Sequence, residues 1–112
     1  MADTLKSFGI ASSSSASTWQ AICTVPNTSG TYRTVLSISI CNTHPTVNVT
    51  FDMALNKSGT RYFIYQDQSL PGGATFIHND KIMMEQADII QLLVPQGTAD
   101  IEMVTSFLEQ TA

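Results

Sequence analysis

Apolar and polar side chains alternate with a period of two along most of this chain, and no stretch keeps the 3.6-residue period of an amphipathic helix. From Ser17 onward, Trp19, Ala21, Cys23 and Val25 fall on one face, with Thr18, Gln20 and Thr24 opposite. Pro26-Asn27-Thr28-Ser29-Gly30 reads as a turn. Thr31 to Cys41 is rich in β-branched residues, with Leu36, Ile38 and Ile40 opposed by Ser37 and Ser39. Thr46 to Leu55 is the clearest strand: Val47, Val49, Phe51, Met53 and Leu55 alternate with Asn48, Thr50 and Asp52. A one-residue slip would expose that whole apolar set, so its register should be well fixed.

Asn56-Lys57-Ser58-Gly59 turns the chain into an aromatic strand, Thr60 to Gln68, which Leu70-Pro71-Gly72-Gly73 stops. Ala74 to His78 reads as a short strand and Lys81 to Glu85 as an edge strand, though Ile82 to Gln86 could also form one helical turn. Ile89 to Val94 is almost continuously apolar. After Pro95-Gln96-Gly97, the stretch Ala99 to Leu108 closes the chain, with Ile101, Met103 and Phe107 facing one way. The spacing predicts seven to eight strands and an all-β fold, an antiparallel β-sandwich of jelly-roll-like type.

The segment Met1 to Ser15 does not share this pattern. Its tract Ser12-Ser13-Ser14-Ser15 favours no packed structure. The expected organisation is therefore an irregular N-terminal arm over residues 1–16 and a sandwich domain over 17–112. The arm is either a disordered tail or a segment that orders on a neighbouring subunit, with Leu5, Phe8 and Ile10 as its anchors.

Composition narrows the function. The 112 residues fit one domain. Charged residues make up 12%, about half the usual ~25%, so the surface must be largely Ser, Thr, Asn and Gln. That suits a protein packed against other proteins. The net charge is −4, and Lys6, Arg33, Lys57, Arg61 and Lys81 are scattered singly. Direct nucleic-acid binding, which rests on phosphate contacts, is not expected. No run reaches the ~18 apolar residues of a membrane span, and the start has no basic-then-apolar signal pattern. Synthesis in a cytoplasm is the expectation.

Candidate chemistry is sparse. His44 and His78 stand outside any H-E-x-x-H or C-x-x-C spacing and read as exposed loop residues, so neither a metal site nor a cofactor is expected. Cys23 and Cys41 sit in strand-like runs and read as buried thiols, with a bridge between neighbouring strands left open. No serine lies in G-x-S-x-G, and no phosphate-binding glycine loop is present. Asp67 and Asp88 read as turn caps at strand ends. No catalytic role is expected.

Three motifs in order carry a resemblance. They are Val25-Pro26 leading to Val35-Leu36-Ser37-Ile38-Ser39-Ile40-Cys41-Asn42-Thr43; then Tyr62-Phe63-Ile64-Tyr65-Gln66-Asp67-Gln68-Ser69-Leu70-Pro71-Gly72-Gly73; then Ala87-Asp88-Ile89-Ile90. Together, over Trp19 to Leu108, they resemble small β-sandwich virion proteins of tailed bacteriophages, cyanophages among them. At Ala87 this chain has alanine where that pattern has glycine. The resemblance implies a virion structural protein with virion proteins as partners, made in the host cytoplasm and acting as a homo-oligomer or in symmetric copies. A capsid decoration (cement) protein bound to the major capsid protein is the first expectation. A tail, neck or baseplate subunit contacting tail components is the alternative. A reading of another class is a host-receptor or carbohydrate-binding module, in which Tyr32, Tyr62 and Tyr65 would stack on sugars.

Overall fold

The computed structural model describes residues 2–10, 19–94 and 101–111. The serine tract, the boundary expected at residue 16 and the turn at Pro95-Gln96-Gly97 lie outside the described residues. Among the described residues nine strands form: β1 (Ala2–Ile10), β2 (Gln20–Thr24), β3 (Thr31–Asn42), β4 (Val49–Lys57), β5 (Thr60–Leu70), β6 (Thr75–His78), β7 (Ile82–Met84), β8 (Ile89–Leu93) and β9 (Ile101–Thr111). The first sheet runs β1-β9-β3-β6, with β7 beside β6 on the same edge of β3; the second runs β2-β8-β4-β5. Every pairing is antiparallel. The fold is thus the expected all-β antiparallel sandwich, with one strand more than the seven to eight expected.

The extra strand is β1. The sequence pattern predicts an irregular arm here, yet Ala2 to Ile10 pair in unbroken register with Thr111 to Met103. Main-chain hydrogen bonding, which leaves no apolar alternation behind, builds this strand. The Ile82 to Met84 stretch, where a helical turn was an option, is strand β7.

The core fills the space between the sheets. Ile22, Val35, Ile38, Ile40, Phe51, Met53, Ile90, Ile101 and Met103 are all buried within it. In β4, Val49, Phe51 and Met53 face inward as expected, while its pairing with β5 shifts register twice, on either side of Met53. In the strands β2 and β3 the inward face is kept by inserting a bulge. In β2 the extra residue is Ile22, between Ala21 opposite Gln91 and Cys23 opposite Ile90. Ala21 is therefore exposed while Cys23 and Val25 are buried, so the single face expected for them is split. In β3 the extra residue is Leu36, which leaves Val35, Ile38 and Ile40 as the inward set. A bulge shifts the side-chain alternation by one residue, which simple period-two counting misses.

The β4–β5 hairpin shows why its turn forms. Ser58 and Gly59 both have positive φ (54° and 89°), as a two-residue turn of the hairpin-favoured hand requires. The Asn56 side chain accepts the Gly59 N–H at 2.9 Å.

Candidate assembly interface

The expected contact residues lie on an edge. β1 pairs only with β9 among the described strands, so its other row of main-chain groups faces outward. Asp3 to Gly9 are all exposed. Leu5 is 73% exposed and points away from the core, opposite Leu108. Phe8 is 47% exposed and sits on the other face, opposite Thr105, whose side is inward. Ile10 pairs with Met103 through its main chain.

Phe8 helps line a cleft of about 260 Å³ between β1, β2, β3 and β9, together with Ile22, Cys23, Arg33 and Phe107. Arg33 spans the two sheets there. Its guanidinium lies 4.5 Å from the Phe107 ring centre, donates to the Thr24 carbonyl and reaches Glu109 at 3.4 Å. Glu109 also takes Lys6 at 2.5 Å, a bond that ties β1 to β9 and, through Arg33, to β3. The Lys6 hydrogen bond, helped by the Arg33 charge, holds the Glu109 carboxyl below its ordinary range. Two cations thus share one carboxylate inside the fold. The Cys23 thiol in the cleft wall is pushed up by burial and stays protonated at neutral pH, which makes it a poor nucleophile.

The two histidines are structural elements. His78 is only 4% exposed, contrary to the loop position expected. Its Nδ1 lies 2.6 Å from the Tyr65 hydroxyl, and the ring stands edge-on to Tyr65. Burial, with the charge of Asp80, raises the Tyr65 pKa, so the phenol remains protonated in this hydrogen bond. Phe51 and Phe76 pack edge-on around the same ring. His44 is half-buried, and its Nδ1 accepts the N–H groups of Thr46 and Val47 at 3.2 and 3.1 Å. Sequence periodicity could not find either role, because each depends on a strand remote in the chain or on one ring orientation.

Cys23 and Cys41 are both free; Cys23 is buried and Cys41 half-buried. Among the described residues, no three His, Cys, Asp or Glu side chains group as a metal site would require. No helix among them is long and apolar enough to cross a membrane. Asp88 caps a turn as expected, accepting Glu85 N–H at 2.8 Å and Lys57 Nζ at 2.5 Å. Asp67 sits inside β5 at a register shift, with φ of 52°, its N–H bonded to Asp52. The three tyrosines do not form a platform: Tyr32 lies on β3 in the first sheet, Tyr62 is exposed on β5 in the second, and Tyr65 turns to His78. Trp19, Phe63 and Arg61 cluster instead, with rings 5.8 Å apart and the guanidinium 4.7 Å over the indole.

No protein-family model matches this chain, and no curated protein matches its sequence. Solved structures match its fold. One is from Bacillus endospore appendages, described as a family of disulfide-linked pili, with a TM-score of 0.56 and 11% identity over 98% of this chain and 87% of that one. Another is the acid-stable capsid of Helicobacter pylori bacteriophage KHP30, with a TM-score of 0.53 and 8% identity over 97% of this chain and 87% of that one. At such identities the likeness shows a common sandwich fold.

Proposed function

We propose that this chain is a structural protein of a bacteriophage virion that works by assembly, in the first place as a capsid decoration protein. The observation that carries this reading is β1: nine residues on a sheet edge, with Leu5 and Phe8 exposed and one row of main-chain groups without a strand partner among the described residues. Such an edge is a ready template for another chain. The low charge, the motif resemblance and the fold shared with a phage capsid structure support the same reading. Leu5, Phe8 and Ile10 are the proposed contact residues of this segment. A position in the tail, neck or baseplate is the alternative within the same class.

The test is binding to particles. Removal of residues 1–15, or Leu5→Asp with Phe8→Asp, should lower occupancy on virions lacking the native protein, with the sandwich still folded by circular dichroism. Undiminished occupancy would overturn the role of β1. Labelled protein located on intact particles by electron microscopy separates capsid from tail.

A further inference from the structure

We propose that the outward face of the first sheet is a two-fold interface with a second copy of this chain. This deepens the assembly reading and rests on it only for the claim that copies meet.

The pairing register places three parallel rungs across this face. The first runs Leu5, Leu108, Thr34 and Met83 over β1, β9, β3 and β7. The second is made of serines: Ser7, Ser106 and Ser37. The third runs Gly9, Val104, Ser39 and Ile77 over β1, β9, β3 and β6. Met83, Ile77 and Val104 are 59%, 56% and 51% exposed, so with Leu5 they form two apolar stripes flanking a polar one. No residue paired in these rungs is charged; Asp3 and Glu102 lie on the next rungs out, and the opposite charges Asp80 and Lys81 sit in the turn between β6 and β7 at the outer end of the serine rung.

This pattern is complementary to itself. An axis along the serine rung exchanges the first and third rungs while leaving each strand over its counterpart. Leu108 then meets Val104 of the second copy, Met83 meets Ile77, and Thr34 meets Ser39. Leu5, the most exposed apolar side chain of the set, meets Gly9. The serines lie along the axis and face their own copies. A two-fold interface demands such self-matching and punishes charge near its axis, since each charge would meet its like.

Gly9 supplies an independent observation. Among the described residues, a side chain there would meet Met103 O at 3.6 Å and Val104 Cγ2 at 4.0 Å, ordinary contacts. The chain's own fold therefore does not need glycine at this position. Glycine inside a strand weakens it and marks a place where other atoms approach closely. The Leu5 side chain of the second copy fits that vacancy. Four strands at ~4.8 Å and about eight residues at ~3.4 Å give roughly 500 Å² of face per copy, so about 1,000 Å² in all, the lower bound of a specific interface.

The experiment uses the whole chain with Cys41→Ser as background. Ser106→Cys should form a reducible dimer rapidly on mild oxidation, whereas Thr60→Cys, exposed on the second sheet, should not. Unmodified protein should have twice the monomer mass by light scattering at tens of micromolar. Val104→Lys should raise the dimer dissociation constant by at least about tenfold. Gly9→Leu should do the same while leaving the unfolding midpoint unchanged, which keeps the test valid even if Val104→Lys unfolds. Monomeric mass for the unmodified protein, or crosslinking of Ser106→Cys no faster than of Thr60→Cys, would overturn the proposal. A dimer by this face without particle binding would instead remove the virion reading alone.

Discussion

Asn42 is a fully buried side chain whose donors go entirely to main chain. Its amide nitrogen donates to the carbonyls of Val47 and Leu70 at 2.7 and 3.2 Å, and its oxygen accepts the His44 N–H at 3.1 Å. It thereby joins the loop after β3 to the end of β5, where Gly72 packs so close that a side chain would come within 2.9 Å of the His44 carbonyl. Asn42→Ala leaves buried carbonyls without partners and should cost about 2–3 kcal/mol in urea denaturation. A loss below a few tenths would show that water replaces the amide freely. Ala87 is the opposite case. It holds φ at 66°, a conformation that costs an L-residue about 1–2 kcal/mol, at the position where the phage-protein pattern carries glycine. Ala87→Gly should therefore stabilise the fold by about 0.5–1 kcal/mol after the entropy lost by glycine, measured the same way. The sequence pointed to both turns but to neither energy, because a turn's residue types are visible and its partners are not.

At the scale of elements, β1 is held by main-chain pairing and by one charged cluster. Glu109 has a lowered pKa, so its contribution is complete above the ordinary carboxylate range near 4 and is lost as pH falls through its folded value. Amide exchange in β1 should therefore accelerate below about pH 4 more than exchange where β3 pairs β9. Glu109→Gln should remove most of that difference. Equal protection of β1 at neutral and acid pH in the unmodified protein would contradict the link between Lys6 and Glu109. Strands β2 to β9 were each legible as alternation or as a β-branched run; β1 was not. Asp3-Thr4-Leu5-Lys6-Ser7 carries no apolar period, because the edge strand buries almost none of its side chains. The bulges at Ile22 and Leu36 escaped for a related reason: a local inversion of the pattern looks in sequence like two overlapping faces.

For the molecule as a whole, the two sheets differ in what they offer a partner. The first has, among the described residues, an open β1 edge and an outward face whose three central rungs carry no charge; the second carries the Trp19, Phe63 and Arg61 cluster. Phe8 lies on β1 but off that face, so Phe8→Asp tests the edge on particles while crosslinking through Ser106 tests the face in solution, and the two surfaces can fail separately. By itself the sequence determined the all-β class, eight of the nine strands, the inward residues of β4 and β9, and the absence of a sequence motif for catalysis. These follow from side-chain period and turn composition, which act over a few residues. Only the tertiary structure decided that Ala2 to Ile10 join a sheet, that His78 is a buried partner of Tyr65, and that Leu5, Val104, Ile77 and Met83 share one face. Each of these depends on which strands become neighbours, and strand order is set by the packing of the whole core, at separations in the chain where no local pattern carries information.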